Sequence, residues 1–131
     1  MSQENVELVR RWLDGVSRGE LSLELCDPEI QIENIAEFPI TGPYRGHDGV
    51  RRWWEDIAEA FSEVRFELEE LIDVEDGRVL STQRMVGRFR NTDIPVDTPW
   101  ASLISVRDGS IARAVGFASR RQALEAAGLS E

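Results

Sequence analysis

The sequence predicts an α+β fold in which a mostly antiparallel sheet curls over helices that precede most of it in the chain. Three observations carry that reading. Two segments, 2–18 and 48–61, repeat apolar residues at helical spacing. From Val64 onward the pattern switches to strand-like alternation. Asp76-Gly77 and Asp108-Gly109 then divide the alternating stretches as hairpin turns do. Helices segregated from a strand meander describe α+β rather than alternating βαβ units.

In the first helix, Val6, Val9, Leu13 and Val16 form one buried stripe with Leu8 and Trp12 beside it. Ser2 is placed to cap it, Glu4 suits the positive end of its dipole, and Gly19 is placed to stop it. Leu21, Leu23, Leu25 and Cys26 suggest a short second helix or turn, closed by Asp27-Pro28. Glu29 to Asn34 alternates, with Ile30 and Ile32 on one face, and reads as a strand. Residues 36–46 hold two prolines and two glycines and read as a loop with room for one short strand. The helix over 48–61 buries Val50, Trp53, Trp54, Ile57, Ala58 and Phe61, leaving Arg51–Glu55 and Arg52–Asp56 to pair on its wet side.

Strands follow over Val64–Glu69, Val79–Phe89, Trp100–Val106 and Ile111–Phe117. Pro95 and Pro99 mark 91–99 as a connection. Ser119-x-x-Gln122 is a capping box opening a short last helix that Gly128 ends. The 131 residues suit one domain over 1–131, with no internal repeat or linker.

Composition narrows the function classes. Hydrophobic residues are 41% and charged residues 31% of the chain, and the longest apolar runs fall far short of the ~20 residues that span a bilayer. The amino terminus lacks a basic segment followed by an apolar one, so no signal peptide is expected and the location expected is cytoplasmic. A formal net charge of -10 argues against nucleic-acid and anionic-membrane partners. All 15 cations are arginine, which leaves no lysine for Schiff-base chemistry or a P-loop. One cysteine, Cys26, and one histidine, His47, cannot supply the usual metal-ligand sets. No metal and no cofactor are expected.

Four stretches together resemble a known family. They are Val9-Arg10-Arg11-Trp12-Leu13, Leu25-Cys26-Asp27-Pro28-Glu29-Ile30, Tyr44 to Trp54 (reading YRGHDGVRRWW), and the ending that runs from Asp108-Gly109-Ser110-Ile111-Ala112-Arg113 to Arg121–Leu129. The chain resembles, over essentially its whole length, the SnoaL-like branch of the nuclear-transport-factor-2-like superfamily. The resemblance implies a cystatin-like α+β barrel: a curved sheet wrapped around helices to form a cone-shaped pocket open at one end. Members are polyketide cyclases, ketosteroid isomerases, epoxide hydrolases and dehydratases, or non-catalytic binding and dimerisation modules. The scaffold does not choose among these; the pocket residues do.

The isomerase pattern implied by the resemblance departs at each position. Trp12 stands where a tyrosine would donate, Asn34 stands near the base position, and Pro99-Trp100 stands where a later aspartate should fall, with only Asp97 nearby. An amide cannot accept the proton that a general base must take. Ser119 stands where many relatives carry an acid after the last strand, and the capping box already accounts for it. His47, in a glycine-flanked turn at a helix start, reads as a capping or surface residue.

The remaining candidate bases are Asp97, in the expected connection, and Glu33, which alternates with Ile30 and Ile32 and on that count faces water. Arg84 and Arg113 lie within strands and could bind an anionic group or an oxyanion. Trp12, Trp54, Trp100 and Phe117 are expected to line the cone, with Asn34 among the substrate contacts. Trp53 and Trp54 sit ~100° apart on a helix, so both rings should not line one cavity.

Two functions follow. One is metal-free acid–base chemistry on a small hydrophobic substrate, of isomerase, cyclase, dehydratase or epoxide hydrolase class. The other is a non-catalytic module that binds a ligand or dimerises. A homodimer through the convex sheet face is expected, from family habit and the apolar Met85, Val86, Leu103 and Ile104.

Overall fold

The computed structural model of the chain describes residues 2–34, 40 and 42–129. Helix α1 (Ser2–Ser17) comes first, and a 3-10 turn (Leu23–Leu25) leads into strand β1 (Cys26–Asn34). Strand β2 (Tyr44–Arg45), helix α2 (Gly46–Ala60), four long strands and helix α3 (Arg120–Ala126) complete the order. The long strands are β3 (Phe61–Val74), β4 (Arg78–Phe89), β5 (Pro95–Arg107) and β6 (Ser110–Phe117). With β1 and β2 they form one six-stranded, unclosed sheet in the order β2-β1-β6-β5-β4-β3, antiparallel except where β1 runs parallel to β6. The expected capping side chain of Ser2, and residues 35–39 and 41 of the expected loop, lie outside the described residues.

Alternation along the strands divides the sheet into two faces. On the concave face, Ile30, Ile32, Met85, Ile104 and Ala114 pack with Val9, Trp12, Leu13 and Val16 of α1 and Val50, Trp53 and Ile57 of α2. This is the main core. On the convex face, Leu80, Ala101 and Val74 are covered by Ala123, Leu124 and Ala127 at the C-terminal helix, with Ile72, Leu103 and Phe117 beside them. Met85 and Ile104, expected on the outer face, therefore belong to the main core, whereas Leu103 faces outward.

The turns form as their residues dictate. Asp108 and Gly109, at φ 53° and 77°, join Arg107 to Ser110, the left-handed pair that a two-residue hairpin requires. Ser119 caps α3 by accepting from Gln122 N at 3.2 Å, while Gln122 Oε1 accepts from Ala118 N at 3.0 Å. Gly128, at φ 81°, ends α3, and Leu129 N returns to Leu124 O at 2.8 Å.

Three expectations are corrected. The connection expected over 91–99 is shorter, because β5 already begins at Pro95. Strand β6 pairs with β5 only as far as Ala101, so Pro95 and Pro99 lie where β5 has a neighbour on one side only. There a missing N–H is tolerated. Strand β1 likewise begins at Cys26, with Pro28 in the stretch where its register with β6 is interrupted. On α2, Arg51 pairs with Asp48 at 2.6 Å, within the helix's first turn, rather than with Glu55.

Candidate functional site

The concave face and the two long helices enclose a cavity with ≈ 50 Å³ open to the centre of a water-sized sphere, within a void of ≈ 660 Å³ that includes its open side. The smaller figure corresponds to a few waters, at about 10–15 Å³ for one by the same measure. Helix α1 contributes Trp12, Leu13 and Val16, spaced so that one stripe faces the sheet. Helix α2 contributes Trp53 and Ile57, four residues and about one turn apart. The Trp12 and Trp53 rings stack at a centroid distance of 6.1 Å and an interplanar angle of 22°.

The sheet supplies the opposite wall. Every strand except β2 contributes residues two apart or one alone: Ile32 and Asn34 from β1, Phe66 and Leu68 from β3, and Gln83 from β4. Trp100 and Ser102 come from β5, and Ala114 and Gly116 from β6. The period of two is the pleat itself. Gly116 is a spatial requirement: a Cβ there would collide with the Trp100 ring and with Asn34 Oδ1. Asn34 Nδ2 donates to the carbonyl of Ile40 and so pins its amide at the end of β1.

Three polar side chains are linked on this wall. Ser81 Oγ donates to Gln83 Oε1 at 3.1 Å, and Ser81 and Ser102 share a short hydroxyl–hydroxyl bond. All three residues are buried. Among the described lining residues the polar groups are amides, hydroxyls and indoles, and none is a carboxylate or a histidine.

The sequence-predicted residues divide accordingly. Trp12, Asn34 and Trp100 line the cavity. Trp54 does not; it packs against the core beside Trp53, and Trp53 takes the lining position. One residue of helix rotates a side chain by about 100°, enough to exchange the two. Phe117 is turned to the convex face, because Gly116 before it points inward.

The four charged candidates also stand outside the lining. Asp97 lies on β5 and pairs with Arg84 across the strands at 2.6 Å, both side chains substantially exposed. Glu33, between the inward Ile32 and Asn34, pairs with Arg113. Alternation explains all four, since each occupies the odd phase relative to an inward neighbour.

Residues that sequence reasoning did not select are Trp53, Phe66, Leu68, Gln83, Ser102 and Gly116. A signal existed for Gln83: Ser81-Thr82-Gln83 places three consecutive uncharged polar residues in the middle of an interior strand.

Two groups near the site have shifted acidities. Burial pushes the Cys26 thiol up to about 11, helped by the Glu24 charge and opposed by the Trp12 indole. Burial also raises Tyr44, to about 12, with its hydrogen bond to Asp56 adding to the rise. His47 is structural: its Nε2 lies 2.9 Å from the Cys26 carbonyl and ties the start of α2 to β1.

A curved open sheet closed by two helices over an aromatic cavity is the fold shared with solved NTF2-like structures. Within that class, the chain belongs to the SnoaL-like domain family, whose profile matches residues 9–114. Among solved structures it is similar to an NTF2-like protein from Burkholderia thailandensis E264, with 23% identity over 95% of this chain and 96% of that one and a TM-score of 0.80. It is also similar to TerC co-crystallised with polyporic acid, at 15% identity over 88% and 92% with a TM-score of 0.75. A third similar structure is a protein of ketosteroid isomerase-like fold from Catenulispora acidiphila DSM 44928 in complex with trimethylamine. It shares 18% identity over 94% and 93%, with a TM-score of 0.72. No curated protein matches the sequence. Among the described residues no helix is long and apolar enough to cross a membrane, and no cluster of residues is suited to holding a metal ion.

Proposed function

We propose that this chain binds a small, neutral, largely apolar molecule in the cavity and that recognition, not proton transfer by Asp97 or Glu33, is its task. The observation that carries this reading is the lining: aromatic and aliphatic walls bearing the amides of Asn34 and Gln83 and the hydroxyl of Ser102. General acid–base catalysis needs a titrating group within about 3 Å of the proton it moves. Asp97 and Glu33 are instead neutralised by arginines outside the lining. TerC, of similar fold, was crystallised with the small molecule polyporic acid, and that supports a ligand-holding role for the class.

The test is calorimetric titration of the protein with small neutral aromatics, toluene first, alongside the variants Asp97→Asn and Glu33→Gln. Saturable one-site binding that both variants retain is the expected result. The competing reading, acid–base chemistry on a carbonyl or epoxide compound, would be favoured instead by a turnover that either variant abolishes.

A second proposal concerns assembly. Val86, Leu103, Val115 and Phe117 are half-buried, with Leu103 and Phe117 at the margin of the cluster that α3 covers. They support pairing of two copies through the convex face. Sedimentation at about 50 μM should give a dimer, since a specific interface of ordinary size persists there. A monomer would refute it.

A further inference from the structure

The hydrogen bonds among Ser81, Gln83 and Ser102 have a direction, and that direction determines what the cavity can recognise. Ser81 has a single hydroxyl proton, and it goes to Gln83 Oε1. In the bond between Ser81 and Ser102, Ser81 is therefore the acceptor and Ser102 the donor. Two consequences follow at the cavity. Gln83 Oε1 is turned toward Ser81, from which it accepts, while its Nε2 donates to no protein atom among the described residues and is not sealed from the cavity that Gln83 lines. Ser102 has spent its proton on Ser81, so toward the cavity it can only accept.

Resting on the pocket reading above, we infer that Gln83 Nε2–H and Ser102 Oγ form a paired donor and acceptor that reads a carbonyl adjacent to an N–H or O–H. This is the edge of a lactam or of an enolised hydroxy-carbonyl, carried on a small flat ring. Gln83 stands opposite Trp100 in the β4–β5 ladder, and Ser81 stands opposite Ser102, so donor and acceptor are diagonal neighbours on one face of the sheet. Both also bond to Ser81 Oγ, which gathers the Gln83 amide and the Ser102 hydroxyl around one atom on that face. The pair is also selective by default. A ligand that leaves a buried amide N–H unpaired, or that presents a second acceptor to the Ser102 lone pair, loses affinity through desolvation that nothing replaces. The aromatic walls of Trp12, Trp53, Trp100 and Phe66 would hold the faces of such a ring.

The experiment compares three probes of similar size on the unmodified protein by calorimetry: 2-pyridone, 2-pyrone and toluene. 2-Pyridone carries the N–H beside its carbonyl. 2-Pyrone has the same shape and carbonyl but a ring oxygen in place of the N–H. We expect 2-pyridone to bind about tenfold more tightly than 2-pyrone, the ratio one neutral hydrogen bond of ordinary net strength supports. In Gln83→Leu and in Ser102→Ala that ratio should fall to about one.

Equal binding of 2-pyridone and 2-pyrone, with toluene also bound, overturns the paired reader and leaves the pocket reading standing. Binding of none of the three overturns both. A ratio that survives in both variants assigns the discrimination elsewhere and also overturns the inference. If either variant fails to fold, the probe comparison on the unmodified protein still decides.

Discussion

Arg84 Nε lies 2.6 Å from Asp97 Oδ1 across β4 and β5, on the face of the sheet opposite Gln83. The pair takes the best-placed sequence candidate for a base and commits it to an exposed ion pair. Exposed pairs contribute about 0–1 kcal/mol, so Asp97→Asn should lower stability by no more than that. Chemical denaturation checks the stability, and toluene affinity in the same protein should equal that of the parent.

Gly116→Ala tests whether the cavity wall is as tight as the packing implies. The added methyl would meet the Trp100 ring and the Asn34 amide, both of which line the cavity. Overpacking of this kind costs about 1–3 kcal/mol, and the Trp100 ring should move into the cavity and weaken ligand binding. A variant with parental stability and affinity would show that the strand end can yield.

The same position shows how far the sequence could be read. Period-two alternation was enough to place Ile30 and Ile32, because β1 buries that face against the main core, and the Asp-Gly turns marked the hairpins. It also carried the information that Glu33 turns away between Ile32 and Asn34, and that Phe117 turns away after Gly116. What it lacked was the phase of each strand relative to the cone, since both faces of β4, β5 and β6 carry apolar residues. Trp53 and Trp54 posed the same problem at helical period. Gln83 and Ser102 were harder still, because their meaning arises from Ser81, which joins them across two strands.

Alkaline pH should destabilise the fold before it affects the arginines. Cys26 is held protonated to about 11 and Tyr44 to about 12, both above their ordinary values of 9.0 and 10.0. The unfolded chain therefore loses these protons first, and the protonated native state is disfavoured as pH rises from about 9. The stabilising contribution is complete below pH 9 and is lost as pH climbs through 11 to 12. Each such group steepens the fall by at most about 1.4 kcal/mol per pH unit in that window. Melting temperature against pH should bend downward from about 9, and Cys26→Ala should remove the lower part of the bend. At neutral pH, a thiol reagent should react with native Cys26 far more slowly than with the unfolded chain.

Ser119→Ala removes the side-chain acceptor for Gln122 N and should cost about 1 kcal/mol, the usual worth of an N-cap. Because α3 is seven residues long, that loss falls on a helix with little stability of its own. Fraying of α3 would uncover Leu80 and Ala101 on the convex face. Hydrogen exchange should speed up in 120–127 before it does in β4, and exchange that is uniform across the two would refute local fraying.

Asn34→Asp is the most informative substitution, because it puts a carboxyl where the isomerase pattern would have a base. The parent amide donates to the Ile40 carbonyl, and an ionised carboxyl cannot. It would face that carbonyl oxygen and a largely apolar cavity, and both conditions favour the protonated form, so the new carboxyl should titrate above the ordinary aspartate value of about 3.9. A raised acid pKa stabilises below the unfolded value and is lost as pH climbs through the folded one. The variant should therefore be close to the parent near pH 4 and less stable by about 1–3 kcal/mol at pH 8. Combined with Trp12→Tyr, it should yield steroid isomerisation above the parent's background, provided the cavity widens enough to admit a 3-keto steroid. Parental stability at pH 8 would show that the carboxyl escapes to solvent, and robust isomerisation by the unmodified protein would show that Asn34 and Trp12 do not occupy the base and donor positions.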